Sequence, residues 1–231
     1  MEKLPRKEGD IVSGETSREA VLQRIRAALT VPEHAPAHHD EPQTAAPVAA
    51  TAEQIIAKLI HRLEEYDARV FRTSASEAGT AIAAILTSSQ KKSMLAPIGL
   101  PEEWMVPAAG QGIAWIADRD LSYEEMQSHN GVLTAATVVV AESGSIVLQH
   151  GPAEGRRALT LLPDYHLCVV KISQVVESLP ECYARLQATA TSLTTFISGP
   201  SATADIEMTR IKGVHGPRFL DVVLIDDVSQ V

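Results

Sequence analysis

Three apolar runs constrain this chain more than anything else in it. They are Ala136–Ala141 (ATVVVA), His166–Ile172 (HLCVVKI) and Phe219–Ile225 (FLDVVLI). Each is too short for a buried helix and rich in β-branched residues, so each reads as a strand buried on both faces. Helical patterns alternate with these and with weaker strands. Ala52–Tyr66 places Ile55, Ile56, Leu59, Ile60 and Leu63 on one face, and an Ala-rich helix ends near Thr87. Short strands follow at Arg69–Arg72, Ser93–Ala96 and Ile113–Ile116. Such alternation predicts an α/β fold with a mostly parallel sheet. With 231 residues there is enough chain for one sizeable α/β domain. Aromatic residues are only 4% of it, so Ala, Val, Ile and Leu must fill the core.

Local signals punctuate the pattern. Capping-box spacing occurs at Thr16–Glu19, Ser74–Glu77 and Ser122–Glu125. Residues 30–51 carry four prolines and His34, His38 and His39, which predicts a linker or lid. The chain therefore divides, as an expectation, into residues 1–51 (a helix and linker) and 52–231 (the α/β domain). Glu142-Ser143-Gly144-Ser145 separates Ala136–Ala141 from a strand at Ile146–Gln149, which predicts a tight hairpin or a bend at a sheet end. Glu154–Leu162 and Ser173–Leu186 read as helical, the second interrupted by Pro180.

Several function classes are excluded or disfavoured. The net charge is −9, and no Lys/Arg cluster exceeds two adjacent residues, so nucleic acid is not an expected partner. Cys168 and Cys182 are the only cysteines, without ligand spacing for zinc or an iron–sulfur cluster and without a disulfide framework. GxGxxG, GxxxxGK[ST] and G-x-S-x-G are absent. No secretory signal or membrane-spanning run is present, which makes a cytoplasmic location the expectation.

Residues able to do chemistry gather in the C-terminal half. Ile197–Arg218 (ISGPSATADIEMTRIKGVHGPR) lies between two strands, and loops at strand ends carry ligand chemistry in α/β sheets. Gly199, Gly213 and Gly216 allow close backbone approach beside Pro200. Ser201 can bind an anion or cap a helix, and Asp205, Glu207 and His215 can move protons. The same glycines suit tight turns, and the residues alone leave both readings open. Glu142, at the end of a buried strand, is a candidate nucleophile or base. Ser143, Gly144 and Ser145 can hold an anion or simply form the hairpin. Arg156 and Arg157 are candidates for a phosphate or carboxylate clamp, although at least one should be a solvated face. His166, opening a strand, can meet a ligand or bond a turn. His61, His129 and His150 read as surface or turn residues.

Taken together, VVVAESGSIVL, RRALTLLPDYHLCVVKI and ISGPSATADIEMTRIKGVHGPRFLDVVLID resemble the lactate-utilisation protein C family, the single-domain members of the LUD (formerly DUF162, YkgG-like) group. The resemblance is strong over residues 131–225 and includes Val21–Leu29. It implies a three-layer α/β/α sandwich of the NagB/RpiA/CoA-transferase-like type. It also implies a part in oxidising L-lactate to pyruvate beside two iron–sulfur-associated partner proteins. With two cysteines this chain cannot hold such a cluster, so the clusters are expected in the partners, and no cofactor is assigned to the chain itself. The family's E-[ST]-G-[ST] motif falls on Glu142–Ser145, its arginine on Arg157 and its LP-x-x-H on Leu162, Pro163 and His166. Its C-terminal motif falls on Gly199–Asp205 and Gly213–Pro217. Threonine is common where Ser143 and Ser145 stand, which keeps the hydroxyl. A polar residue is common where Ala202 stands, and its loss weakens an anion-binding role for that turn.

Three functions follow as expectations. The first is an accessory subunit of a lactate oxidation system, binding a small anion at strand-end loops, with His215 or Glu142 handling protons. The second is an autonomous transferase or ligase-like enzyme using Glu142 as acyl acceptor. The third is an interaction module in which the polar cluster is structural.

Overall fold

The structure, a computed structural model, describes residues 14–29, 50–204, 210–212 and 216–227. The chain divides into two units, Met1–Val48 and Ala49–Val231. In the first unit, α1 spans Gly14–Leu29. It starts two residues before Thr16, so the Thr16–Glu19 pair lies inside the helix. The three linker histidines lie outside the described residues.

The second unit begins with α2 (Ala52–Glu65). Thr51 caps it by accepting from the Gln54 backbone N–H, while the Gln54 side chain accepts from the Thr51 N–H. Then come β1 (Arg69–Ser74), α3 (Ala78–Ser88), β2 (Ser93–Ala96), α4 (Glu102–Gly110), β3 (Ala114–Ala117) and α5 (Tyr123–Ser128). The Ser122–Glu125 capping box forms at the start of α5. At Ser74–Glu77 no side chain caps the backbone: the Ser74 hydroxyl donates to the Glu77 carboxylate instead, and a short 3₁₀ turn precedes α3.

The strands β4 (Gly131–Ala135), β5 (Val138–Val140) and β6 (Ser145–Leu148) follow. The rest comprises β7 (Tyr165–Lys171), β8 (Val175–Val176), α6 (Leu179–Leu186), β9 (Thr195–Ser198), β10 (Ala202–Ala204), β11 (Arg210–Lys212) and β12 (Phe219–Asp226). Two expected helices differ. Glu154–Leu162 contains only a 3₁₀ turn at Arg157–Thr160. In Ser173–Leu186 the helix starts at Leu179, because Pro180 suits a first turn where its missing N–H costs no hydrogen bond.

Six strands form a wholly parallel sheet in the order β1-β12-β7-β4-β2-β3. This is the α/β architecture with a mostly parallel central sheet that the apolar runs require. Side chains alternate across it. Leu167, Val169, Val223 and Ile225 pack against α3 and α4, whereas Cys168, Val170, Val222 and Leu224 face Ile56, Leu59 and Leu63 of α2. A second sheet, β8-β5-β6-β9, also covers this latter face through Val139, Ile146 and Leu148. Its own outer side packs Val138, Val140 and Val147 against Cys182 and Leu186 of α6. The β5–β6 pair is the antiparallel hairpin expected around Glu142–Ser145.

Gly79 sets how closely α3 meets α4. A methyl group there would collide with the Glu103 carbonyl oxygen and sit 3.0 Å from the Pro107 ring. Gly79→Ala should therefore force the helices apart and lower stability by about 1–3 kcal/mol. Urea denaturation measures this as a reduced midpoint at unchanged slope.

Candidate functional site: a cationic cleft at the start of two central strands

A cleft of about 240 Å³ opens where β7 and β12 begin. This volume lies below the roughly 300–1,000 Å³ of sites for drug-sized ligands, so the cleft suits a small molecule. His166 and Leu220 stand opposite each other in register and form its floor. The 3₁₀ turn after Arg156 supplies Arg157 and Thr160, and the end of β9 supplies Phe196 and Ser198. Gly199, Pro200, Ser201 and Gly216 close the rim. The general rule for α/β sheets puts ligands at the C-terminal strand ends. Here the cleft lies at the N-terminal ends of β7 and β12, because β9 of the second sheet delivers its C-terminal turn there.

Gly199 has φ +79°, and a Cβ would stand 2.5 Å from Tyr66 Cβ. Both facts demand glycine and fix the turn that follows Ser198. The Ser201 N–H donates to the Pro217 carbonyl at 2.8 Å, joining the two sides of the rim.

The two adjacent arginines have different fates. Arg156 forms a bidentate pair with Asp118, at 2.9 and 2.8 Å. Arg157 is half-buried, and its Nη1 donates to the Thr160 hydroxyl and carbonyl at 2.7 and 3.2 Å. Among the described residues, no carboxylate pairs with Arg157 and none lines the cleft. Burial lowers its pKa from the ordinary arginine value, although a guanidinium keeps its charge throughout the working range.

A brace holds Arg157 near β9. The His150 Nδ1–H donates to the Gly155 carbonyl at 3.0 Å, and its Nε2 then accepts from the Thr195 hydroxyl at 2.9 Å. Glu154, 5% exposed, accepts from the Gln149 N–H at 2.6 Å and from the Thr137 hydroxyl. His150, which its sequence context places at the surface or in a turn, is thus a half-buried structural link at a turn, with φ +57°.

His166 is 2% exposed. Its Nε2 shares a 2.7 Å hydrogen bond with Thr134 Oγ1. Desolvation, then the nearby positive charge of Arg157, lowers its pKa to about 4. The ring is accordingly neutral at pH 7.

The expected site residues are thus brought together only in part. Arg157, His166, Gly199, Pro200, Ser201 and Gly216 share the cleft. Glu142 and Ser143 do not; they line a neighbouring depression with Arg62, Glu65 and Tyr66. Gly144 forms the hairpin turn. The hairpin nevertheless reaches the cleft through hydroxyls. Ser143 Oγ donates to Ser145 Oγ at 2.9 Å, and Ser145 Oγ lies 2.8 Å from Ser198 Oγ. Asp205, Glu207, Gly213 and His215 lie outside the described residues. Sequence reasoning missed Thr134, Thr160 and Ser198. Only Ser198 carried a local signal, as a hydroxyl just before the Gly199-Pro200 turn.

Cys168 and Cys182 are both buried and unbridged, in separate clusters. Burial raises the Cys168 thiol pKa to about 12, so it stays protonated. Among the described residues, no group of three or more His, Cys, Asp or Glu side chains is placed to hold a metal ion. Nor is any helix there long and apolar enough to cross a membrane.

Residues 56–225 match the LUD domain family. A curated relative, lactate utilization protein C of Deinococcus radiodurans, is 36% identical over 194 residues, covering 80% of this chain and 87% of the relative. The protein of the same name from Bacillus subtilis strain 168 is 30% identical over 136 residues, 55% of each chain. A crystal structure of a DUF162 family protein from Deinococcus radiodurans superposes with a TM-score of 0.66 at 32% identity. That match covers 77% of this chain and 99% of that one.

Proposed function

This chain belongs to the LUD domain family, and we propose that it serves lactate utilisation by binding a small carboxylate in the cleft around Arg157. The names of its curated relatives support the role in lactate utilisation. One observation carries the ligand class: a half-buried guanidinium with no carboxylate partner among the described residues, in a cleft sized for a small molecule. A carboxylate there would take charge-assisted hydrogen bonds from Arg157. Ser198 and Ser201 add polar groups at the wall and rim.

The chain acts as a ligand-binding subunit of a system that oxidises L-lactate to pyruvate, and iron–sulfur partner proteins carry the electrons. Its own two cysteines support that division, being buried apart from each other and protonated where burial is deepest. Glu142 and its exposed depression stand beside the cleft, so acyl transfer through Glu142 gains no support from the geometry.

Arg157→Gln tests the reading. It keeps a polar side chain but removes the charge. Losing a hydrogen bond to a charged group costs about 1.5–3 kcal/mol, so the dissociation constant for L-lactate should rise by roughly 10- to 100-fold in calorimetry. A host lacking this gene should regain growth on L-lactate with the wild-type chain and not with Arg157→Gln. Full complementation by the variant, with unchanged affinity, would refute the proposal.

A further inference from the structure

We infer that Thr134 and His166 make the cleft selective for 2-hydroxy acids over 2-oxo acids, an inference that rests on the carboxylate-binding reading above. It starts from a buried chain of polar groups that crosses from β4 to β7. Thr134 stands opposite Cys168 in the β4–β7 register, and Val132 stands opposite His166. Thr134 is fully buried, and its hydroxyl lies 2.7 Å from His166 Nε2 and 3.8 Å from Cys168 Sγ. Cys168 in turn lies 3.8 Å from the Ala135 carbonyl oxygen, which can only accept.

That terminal acceptor fixes the direction of the chain. The Cys168 thiol donates to the carbonyl, and the Thr134 hydroxyl donates to the sulfur. Thr134 has a single proton, so it must accept at its oxygen from His166 Nε2–H. This arrangement gives every group in the buried chain a partner, the Cys168 sulfur included. The reverse arrangement, with Thr134 donating to Nε2, leaves the Cys168 sulfur without a donor.

A neutral imidazole protonated at Nε2 carries its lone pair at Nδ1. Nδ1 has no hydrogen-bond partner among the described residues, yet no buried polar side-chain atom there is left unsatisfied. Nδ1 is therefore not sealed from the accessible surface, and the cleft is what His166 borders. The positive charge of Arg157, which acts on this ring, also favours a lone pair on the open side. The cleft thus offers an acceptor beside a cation. The hydroxyl of a 2-hydroxy acid can donate to Nδ1 while its carboxylate meets Arg157. The carbonyl of a 2-oxo acid has no proton to give, and it would set one lone pair against another.

The test uses the full chain with L-lactate and pyruvate as probes. L-lactate should bind roughly tenfold tighter than pyruvate, about the worth of one neutral hydrogen bond. Thr134→Val removes the acceptor that holds the Nε2 proton and should shrink the ratio to about threefold or less, whereas Thr134→Ser should keep it. Nitrogen-15 spectra of the wild-type protein at pH 7, which need no variant to fold, should show His166 protonated at Nε2. Equal affinity for the two acids, or an Nδ1–H ring, overturns the inference. If both acids bind equally and Arg157→Gln weakens both, the carboxylate reading survives that failure. Binding of neither acid overturns the reading and the inference with it.

Discussion

Replacing Arg69 with methionine is expected to remove about 3 kcal/mol of folding stability. Asp221 sits in the middle of an apolar run and is 1% exposed. Its carboxylate accepts from Arg69 Nε at 2.7 Å, from Arg69 Nη2 at 2.5 Å and from the Tyr165 hydroxyl at 2.6 Å. Burial and the adjacent Asp221 charge raise the Tyr165 pKa, so its phenol stays protonated and donates. Removing one partner of such a pair leaves a buried charge uncompensated, which typically costs about 3–5 kcal/mol. The Arg69 side chain is 57% exposed, so water already screens part of the attraction and the lower end applies. The cost belongs to the stranded carboxylate more than to the missing arginine. Adding Asp221→Asn to the methionine variant should therefore recover more than half of the loss. Chemical denaturation of both single variants and the double variant reads this coupling directly. A loss below about 1 kcal/mol with additive effects would mean that the carboxylate is not held as described.

Acid should destabilise the fold through His166. Its pKa in the folded protein is about 4, against 6.5 for the free side chain. Well above pH 6.5 the ring is neutral in both states and contributes no pH dependence. Between pH 6.5 and 4 the unfolded chain takes up a proton that the folded chain refuses, so stability falls as pH falls. At 1.36 kcal/mol per pH unit the loss approaches about 3 kcal/mol by pH 4. Carboxylates such as Asp164, whose pKa Arg218 lowers, add their own loss at lower pH. The useful quantity is therefore the difference in slope between the wild type and His166→Asn. The variant should be less stable at pH 7 but flatter between pH 6.5 and 4.5. Equal slopes would show that His166 titrates normally in the folded protein.

The three apolar runs carried most of the fold because strands buried on both faces leave a strong local signature. The strand Gly131–Ala135 was not legible. Its leading glycine and closing alanine argue against a strand locally, and it is held by pairing with β2 and β7, both remote in the chain. Nothing local in the last apolar run marks Asp221 as half of an ion pair, since its partner Arg69 is 152 positions away. The same limit applies to Arg156 and Arg157. They are chemically identical neighbours, and only the position of Asp118, 38 residues earlier, turns one into a surface pair and leaves the other in the cleft. Glu142 was read correctly as the end of a buried strand, but the hairpin turn carries its side chain outward, beyond what residue type can report. The serines were legible as hydroxyls and not as a connected series, because Ser198 joins them only through β6–β9 pairing.

The most direct test of carboxylate recognition is a thermal-shift titration of the full chain with L-lactate, pyruvate and lactamide. Lactamide matches lactate in shape but replaces the carboxylate with a neutral amide. A ligand at 100 times its dissociation constant stabilises the fold by about 2.7 kcal/mol, a rise in midpoint that is readily measured. The cleft around Arg157 predicts that L-lactate raises the midpoint and lactamide does not. A shift of equal size with lactamide, or no shift with either acid, would contradict it.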